Sequence, residues 1–429
     1  MSKKRTLWTL LGIMMIAAML ISACASATED PASFEGETVT IFTAAGEDQA
    51  KAFQDEFVGF MEETGIEVVV EGSSDFEVLS VTRAEAGDPP EIYNFPQPGL
   101  MADLARGGYL TDLNEALGED YLKGQYEAPW LESGQVDGTL VGIWHNADVK
   151  SLVWYPKAEF EAAGYDIPQT WDELLALSDQ IVTDGGVPWC IGIENASGTG
   201  WVATDWVEDI MLRTTSTENY DKWTTGELKF DSPEVRNAFE TMGNIFFNED
   251  YVLGGTTAIL TTPFGDSPLP LFDDPPSCFL HRQASFIPNF FPEGAVVGED
   301  VDYFYLPPID SAYGKPVLGS GSLLSMAVDN AATREVMKFL ATPESVEVEV
   351  KAGLFVAPHK NVPQEWYPSE ALKGFADILA NAETFRFDGG DLMPGAVGAG
   401  SFWSGSVDFI NGKDLGEVLQ AIDASWPSE

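Results

Sequence analysis

Basic residues are scarce in this chain. Its 429 residues include 22 Lys and Arg against 69 Asp and Glu, which gives a formal net charge of −47. A protein that binds nucleic acid must neutralise phosphates with positive charge, so this charge balance argues against nucleic acid as a partner. The same negative field disfavours anionic ligands. We therefore expect a ligand that is neutral or cationic.

Histidine is also rare, and recognisable catalytic motifs are missing. His145, His281 and His359 lack the spacing of metal ligands. The sequence has no G-x-S-x-G motif, phosphate-binding loop or EF-hand loop. Acidic residues are so numerous that some pair will always resemble a glycosidase dyad. We expect no enzymatic activity, no metal and no cofactor, and we keep a secreted glycoside hydrolase as an alternative.

The N-terminus carries an export signal. Three basic residues, Lys3, Lys4 and Arg5, precede the apolar run Leu7–Ile21. This pattern is typical of a signal peptide, here residues 1–23, and the run is short for a transmembrane helix. Ile21-Ser22-Ala23-Cys24 resembles a lipobox, which implies lipidation of Cys24 and an extracytoplasmic protein anchored to the membrane. A plain secretory signal is the alternative. Residues 24–36 are small and polar and predict a flexible tether.

Only two cysteines remain once Cys24 is set aside. They are Cys190 and Cys278. In an oxidising compartment two cysteines of a secreted chain favour one disulfide, and two buried free thiols are the alternative.

The first part of the mature chain alternates strands and helices. Val39–Thr43, Ile66–Val70 and Glu91–Phe95 are predicted strands with helices between them. This order predicts an α/β fold with a mainly parallel sheet and helices on both faces. Ligands of such sheets bind beyond the carboxyl ends of the strands, which places residues 44–48 and 94–99 at the site.

The second part predicts another α/β lobe, again with a mainly parallel sheet flanked by helices. Thr170 and Glu173 fit a capping box, and Ser232-Pro233 fits the start of an amphipathic helix. Residues 189–193, 278–287 and 303–306 are predicted strands, and the glycine-rich run 394–403 is a predicted loop.

Two stretches predict crossings between the lobes. In Gly138–Tyr155 and in Lys315–Val328 apolar residues flank a polar interruption, at 146–150 and at 319–322. We expect residues 37–147 and 323–380 to form lobe 1, and residues 148–322 and 381–429 to form lobe 2. Polar residues of the crossings would then face a cleft, a common place for small-molecule sites.

Four long stretches carry a family resemblance. They are HNADVKSLVWY, WCIGIENASGTGWVATDWVEDIMLR, AILTTPFGDSPLPLFDDPPSCFLHRQASFI and DLMPGAVGAGSFW. The chain resembles the extracytoplasmic sugar-binding proteins of ABC transporters, the family of maltose-binding protein, and most closely its α-glucoside-binding members. The resemblance implies a two-lobed type II fold, a neutral sugar in the cleft, an ABC permease as partner and a monomer.

The resemblance also implies binding residues. Trp403 matches a C-terminal tryptophan that stacks on sugar, Trp201 matches a second stacking aromatic, and Asp148 matches an acidic ligand-binding residue. Phe95 and Gln97 follow the third strand, where the family places an aromatic and a hydroxyl-binding residue. Prolines at 96 and 98 depart from the family's acidic-basic pair in that loop.

Further candidates rest on residue chemistry, each with a structural alternative. His145 and Asn146 lie in the crossing and could instead bond the backbone. Asp205 could accept sugar hydroxyls or cap the following helix. Arg282 could hold a hydroxyl or pair with a carboxylate. The last two candidates, Glu47 and Asp48, follow the first strand and could cap the next helix.

A third class of function stays open beside the sugar binder and the hydrolase. The acidic surface permits a cationic ligand such as a polyamine or a peptide, and stacking aromatics also suit a cation.

Overall fold

The computed structural model describes residues 34–352, 356–367, 370–380 and 384–427. The predicted signal peptide, the predicted lipidation site Cys24 and most of the tether lie outside these ranges. Within the described ranges no helix is long and apolar enough to cross a membrane.

Eleven strands occur in the described residues. They are β1 (Thr38–Thr43), β2 (Glu67–Gly72), β3 (Ile92–Phe95), β4 (Gln135–Val136), β5 (Thr139–Leu140), β6 (Ile143–Val149), β7 (Leu152–Pro156), β8 (His281–Arg282), β9 (Val301–Tyr305), β10 (Pro316–Met326) and β11 (Thr384–Phe387).

The same residues contain eighteen α-helices. They are α1 (Glu47–Asp55), α2 (Val58–Thr64), α3 (Phe76–Ala86), α4 (Pro98–Arg106), α5 (Glu119–Gln125), α6 (Ala128–Ser133), α7 (Lys157–Ala163), α8 (Trp171–Thr183), α9 (Trp201–Thr214), α10 (Thr217–Thr224), α11 (Pro233–Phe246), α12 (Gly255–Thr261), α13 (Ala331–Leu340), α14 (Glu347–Ala352), α15 (Glu370–Ala380), α16 (Gly389–Leu392), α17 (Trp403–Ile410) and α18 (Leu415–Ala424).

The main sheet begins with the predicted β-α-β-α-β unit. Its order is β11-β10-β3-β1-β2, and β6 also pairs with β10. Strand β1 pairs in parallel with β2 and β3, as expected when helices connect successive strands. The buried residues of these strands and of α1, α3 and α13 form one core, which includes Val39, Ile41, Ile92 and Leu324.

The second lobe is helix-rich, and its strand pairing differs from the expectation. Strand β7 pairs with β8 and β9, and both pairings are antiparallel. Outside the main sheet, parallel pairing in the described residues is limited to isolated bridges, at Trp189, Glu194 and Val297. The predicted strand at 189–193 is therefore only a bridge, and the predicted strand at 278–287 shortens to β8. Helices such as α8, α9 and α11 supply most of this core, so the apolar runs are buried without forming full strands.

Most residues of both predicted crossings lie in strands, 146–149 in β6 and 319–322 in β10. Antiparallel pairing of β6 with β10 includes Asp148 opposite Ser320, and the register shifts at Ser322/Leu323. The interruption expected at 319–322 is thus a bulge in a strand rather than a break. Trp144 packs in the first core and Val149 in the second lobe, so the expected boundary near 147/148 falls inside β6.

The segment 370–380 packs on lobe 2, whereas the sequence predicts that it belongs to lobe 1. Phe375 of α15, which the sequence analysis assigns to lobe 1, packs against Trp154 and Tyr303 of lobe 2. The Tyr303 hydroxyl also donates to the Ala371 carbonyl at 2.9 Å. Apolar contact area thus attaches the helix at 370–380 to the second lobe.

A disulfide joins Cys190 and Cys278 within lobe 2. The two Cα atoms are 5.7 Å apart, and the cysteines are 88 residues apart in sequence. Both side chains are buried beside Trp154 and Ile287. A link that closes so long a loop limits the unfolded ensemble of this lobe.

Candidate functional site

A buried lysine lies at the end of the first crossing. Lys150 follows β6, and its ammonium is 2.9 Å from Oδ1 of Asp205 and 2.5 Å from Oδ2 of Asp388. Its side chain is 6% exposed. The ammonium also lies 5.5 Å from the centre of the Trp201 ring. We call Lys150, Trp201, Asp205 and Asp388 the cleft floor.

A glycine lets the backbone of Trp403 approach the start of α9, next to Trp201. Gly200 precedes α9 with φ +116°, and a Cβ there would meet the Trp403 carbonyl oxygen at 2.4 Å. Only glycine allows this approach of the chain to Trp403. Trp403 is 4% exposed and opens α17, so the glycine-rich run is helical and not the predicted loop. Trp206 of α9 packs in the interior of lobe 2.

The segment after β11 supplies further acidic groups beside the cleft floor. Asp388 Oδ1 accepts from the Asp391 amide at 2.8 Å and so caps α16. The amides of Gly389 and Gly390 both donate to the Glu208 carboxylate at 2.9 Å. The carboxyl of Asp391 lies beside them and receives no hydrogen bond within the described residues. Its acceptor oxygens are thus available to a ligand.

Burial sets the protonation of these acids. Burial raises the pKa of Asp205 to about 7, against the opposing effect of Lys150. Burial and then the charge of Asp388 also raise the pKa values of Glu208 and Asp391 well above the usual range. At Asp388 burial acts in the same direction, but Lys150 together with the hydrogen bonds of the Asp391 amide and Glu208 outweighs it, and the pKa is lowered. The cleft therefore combines an ionised acid with protonated neighbours that can donate hydrogen bonds.

A layer of ion pairs fixes the floor from below. Asp209 is fully buried and accepts from Ser151 Oγ at 2.6 Å and from Arg282 Nη2 at 2.5 Å, and it also pairs with Arg213. Arg282 Nη1 lies 3.4 Å from Asp205 Oδ2. Arg282 therefore takes the structural alternative, in which it pairs with carboxylates and orients Asp205.

Lobe 1 faces this floor with amides and one acid. Gln97 precedes α4, and its Nε2 donates to Glu77 Oε1 of α3 at 3.0 Å. Gln97 Oε1 and Asn94 Oδ1 are buried and accept no hydrogen bond from the described residues. Burial raises the pKa of Glu77. These acceptors would gain a partner from a ligand that carries hydroxyl groups.

The two lobes touch at both rims of the cleft. Ser197 Oγ of lobe 2 donates to the Ser74 carbonyl of lobe 1 at 2.8 Å. On the other rim the Gly395 amide donates to Asp103 Oδ2 at 2.8 Å. Gly99 lies so close to Met393 that a Cβ would meet its carbonyl oxygen at 1.8 Å. The structure is therefore a closed form.

The predicted crossing residues have separate surroundings. Asp148 accepts from Ser285 Oγ at 3.0 Å, and burial raises its pKa to about 7. Asn146 Oδ1 accepts from the amide and the hydroxyl of Ser322, so Asn146 links the two crossing strands. His145 lies 3.3 Å from the Glu349 carboxylate and against Phe53, inside lobe 1.

The remaining candidates are positioned as follows. Phe95 is buried in the lobe 1 core, where it stacks on Tyr93. Asp205 lies inside α9, so the interpretation of Asp205 as a helix cap is wrong. The backbone of Glu47 and Asp48 opens α1 after Gly46, and their side chains lie outside the described part of the structure.

Sequence reasoning missed the charged groups around the floor, namely Lys150, Glu77, Glu208, Asp388 and Asp391. A signal existed for Lys150, because it is one of few basic residues and it stands between two apolar strands. Glu208 and Asp388 acquire a role only through long-range contacts. One of them is the hydrogen bond between Glu208 and Gly389, which are 181 residues apart in sequence.

The arrangement is suited to holding a polar, uncharged molecule. Indole rings offer apolar faces, and the surrounding acids, amides and ammonium offer donors and acceptors in both directions. Two α/β lobes that close over such a cleft, joined by paired crossing strands, define a two-lobed solute-binding protein.

The chain belongs to the bacterial extracellular solute-binding protein family, whose family model matches residues 44–347. The family recognised from the sequence is thereby confirmed, as is the α/β fold class. Members of this family bind solutes outside the cytoplasm, so the protein is a binding protein and not an enzyme.

Two relatives match over nearly the whole chain. The osmoprotective compounds-binding protein GgtB of Synechocystis sp. is 44% identical over 414 residues, which are 96% of this chain and 98% of that protein. The alpha-glucosides-binding periplasmic protein AglE of Rhizobium meliloti is 46% identical over 403 residues, 92% of this chain and 88% of that protein.

Among solved structures, a chitin oligosaccharide binding protein superposes with a TM-score of 0.79. It is 18% identical in sequence, and the match covers 90% of this chain and 97% of that one. At this identity the likeness concerns the fold.

Proposed function

We propose that this protein captures a neutral α-glucoside, a di- or oligosaccharide, in the cleft between its lobes and delivers it to an ABC permease. The observation that carries the proposal is the cleft floor, in which the ammonium of Lys150 bridges Asp205 and Asp388 beside Trp201. Sugar hydroxyls fit the donors and acceptors of this floor, and the C–H face of a sugar ring fits the indoles of Trp201 and Trp403.

The charge of the floor favours an uncharged ligand. A protein ammonium already occupies the position that a cationic ligand would take between the two aspartates. An anion would meet the ionised carboxylate of Asp388 and the strongly negative charge of the whole chain. A sugar carries no charge, so it meets neither the competing ammonium nor charge repulsion. Its hydroxyls can donate to the unpaired oxygens of Gln97 and Asn94.

The names of the two relatives support this ligand class and one variant of it. AglE is described as binding α-glucosides, at 46% identity to this chain. GgtB is described as binding osmoprotective compounds, at 44% identity. A small neutral osmoprotective compound is therefore our second candidate ligand for the same floor.

Ligand capture would follow from closure of the lobes about the paired crossing strands. Lobe 2 holds the ligand first, and the lobe 1 side chains Gln97 and Glu77 complete the contacts as the rims meet. A ligand that contacts both lobes favours the closed state over the open one. We expect an affinity of about 1 μM, or about −8 kcal/mol, which also permits release to the permease.

Calorimetry of the purified protein tests the ligand class. Maltose, sucrose and trehalose are titrated in parallel with glycerol, glycine betaine and spermidine. We expect micromolar binding of at least one α-glucoside and no saturable binding of spermidine. Saturable binding of spermidine alone would support the cationic alternative. Sustained hydrolysis of maltose, lost on substitution of one cleft carboxylate, would support a glycosidase.

Membrane anchoring through Cys24 is the second part of the proposal. The run Ile21-Ser22-Ala23-Cys24 after an apolar segment supports it. Cys24→Ala should release the protein from the membrane fraction or block its processing. If the variant stays processed and tethered as before, Cys24 is not the anchor.

A further inference from the structure

The carboxylates around Lys150 form a cluster that would suit a free cation. Asp205, Glu208 and Asp388 each place an oxygen within 4.8 Å of one another, and all three are buried. We call these three residues the carboxylate cluster. Without Lys150 it would be an acidic pocket beside an aromatic ring, which is a favourable setting for an amine.

We infer that Lys150 determines ligand specificity: its ammonium fills the carboxylate cluster as a built-in cation and so reserves the cleft for neutral, hydroxyl-bearing solutes. This inference rests on the proposed function and adds the residue that would separate sugar binders from amine binders on this floor. Lys150 is a positioning residue for the cluster and a candidate donor to the solute.

The hydrogen-bond count at the ammonium supports a direct role. A lysine ammonium has three protons. One is donated to Asp205 and one to Asp388, at 2.9 Å and 2.5 Å. The third stays available on the side of Trp201, whose ring centre is 5.5 Å away. A hydroxyl of a sugar stacked on Trp201 would lie within reach of that proton.

The cluster is built before closure. Asp205 and Glu208 belong to α9, and Asp388 follows β11 and caps α16, which contacts Tyr220 of α10 through Gly389. Each of these elements contacts the second lobe, although α16 also touches α4 of lobe 1, and we expect the three carboxylates and the ammonium to stay together when the cleft opens. Lys150 can therefore act on the first encounter with a solute rather than only in the closed form.

Chemical rescue of Lys150→Ala tests the inference. The substitution removes three carbons and the ammonium, and propylammonium replaces the same atoms. We expect affinity for the α-glucoside that binds the wild type most tightly, among maltose, sucrose and trehalose, to fall at least about tenfold. Propylammonium should restore most of this loss and should raise the melting temperature of the variant, while tetramethylammonium, which has no N–H, should do neither.

A matched control and a second variant complete the test. Lys157→Ala removes a lysine that pairs with Asp302 at 3.1 Å on the surface of lobe 2, and it should keep wild-type affinity with no response to propylammonium. If Lys150→Ala does not fold, the double variant Lys150→Ala/Asp388→Asn takes its place. It removes both charges of the Lys150–Asp388 pair, and Asp205 keeps its ion pair with Arg282. This double variant should fold and bind the sugar at least about tenfold more weakly.

The outcomes separate the inference from the proposed function. If the wild type binds no α-glucoside, the proposed function fails, and the melting temperature of Lys150→Ala with propylammonium still reports on the cation position. Wild-type sugar affinity in the folded Lys150→Ala or in the double variant would overturn the inference. So would a Lys150→Ala protein that folds and gains neither stability nor affinity from propylammonium.

Discussion

The two faces of the cleft are built on different principles. On the lobe 2 face the charged groups are tied to one another: Lys150 to Asp205 and Asp388, and Asp209 to Arg213 and Arg282. On the lobe 1 face polar atoms are left over, because Gln97 Oε1 and Asn94 Oδ1 are buried without a hydrogen bond from the described residues. The charges of the lobe 2 face are thus paired before a ligand arrives, although Asp205 Oδ2 and the Asp391 carboxyl still lack a hydrogen bond from the described residues, whereas the lobe 1 acceptors would be paired by the ligand.

This difference assigns separate energetic roles to the lobes. Groups that satisfy each other contribute to the stability of lobe 2 and set the geometry of the site. Unsatisfied acceptors on lobe 1 make closure without a ligand unfavourable, because each buried polar atom without a partner costs about 1–3 kcal/mol. Substitutions in lobe 2 should therefore affect folding or affinity strongly, and substitutions at the lobe 1 contacts should affect mainly the closed state.

The largest effect is expected at the base of the lobe 2 face. Asp209→Asn leaves Arg213 and Arg282 without their shared carboxylate in a fully buried site. Breaking a buried ion pair in this way costs about 3–5 kcal/mol of unfolding free energy, measured by chemical denaturation. Asp302→Asn removes the partner of Lys157 at a partly exposed pair and should cost under about 1 kcal/mol. Equal losses of unfolding free energy in the two variants would show that the buried Asp209 network contributes no more to stability than a partly exposed ion pair.

The next effect concerns Trp403, whose backbone lies beside Gly200. Trp403→Ala should weaken sugar binding by about 2 kcal/mol, or about thirtyfold, because the sugar face loses its apolar partner. Calorimetry measures the affinity and thermal melting measures the stability without ligand. Trp206→Ala, in the core of lobe 2, should instead cost about 3–5 kcal/mol of stability. A large drop in melting temperature of Trp403→Ala with unchanged affinity would assign Trp403 to the core.

A pH effect is expected at the junction of the faces. Burial raises the pKa of Asp148 from 3.8 to about 7, so the folded state binds a proton that the unfolded state releases. The stability from this proton is complete below about pH 4 and is lost as the pH rises to 7 and beyond. Asp148→Asn keeps the acceptor for Ser285 and removes the charge. Its unfolding free energy should exceed that of the wild type by up to about 4 kcal/mol at pH 8, because each pKa unit corresponds to about 1.4 kcal/mol, and should match it at pH 4.

If the gap between Asp148→Asn and the wild type is the same at both pH values, Asp148 does not titrate in this range. Denaturation curves at pH 4, 6 and 8 give the comparison directly.

The smallest effect is expected for a substitution that removes only a contact between the two closed lobes. Ser197→Ala removes one hydrogen bond between the lobes, from its hydroxyl to the Ser74 carbonyl. Affinity should fall by about 0.5–1.5 kcal/mol, through faster dissociation, with unchanged stability. Ser404→Ala removes a hydroxyl that bonds only within lobe 2, to the Gly400 carbonyl, and should leave dissociation unchanged. Stopped-flow fluorescence measures both rates, and equal rates in the two variants would argue against the rim contact.

The sequence predicted those parts of the fold that depend on local signals. Thr170 and Ser232 cap their helices through the amides of Glu173 and Val235, as their positions indicate. Period-two and helical patterns located β1, β2, β3 and the helices between them. The strands of lobe 2 were overestimated, since an apolar run buried by helices is indistinguishable from a strand by pattern alone.

The site was predictable only in part, for a physical reason. Trp201, Asp205 and Gln97 were candidates because motif matches and strand ends point to single positions. Lys150 and Glu208 gain their meaning from contacts with Asp388 and Gly389, which long-range packing of the last segment creates. Partners separated by more than 180 residues leave no spacing that a reader of the sequence could recognise.

The most direct test of the account is a crystal structure of the protein with the α-glucoside that binds it most tightly in calorimetry. We expect the sugar between the lobes, with one ring against Trp201 or Trp403 and its hydroxyls within about 3 Å of Lys150 and of Gln97 Oε1. A sugar bound outside this cleft, or held in it by lobe 1 alone with the cleft floor untouched, would contradict the account.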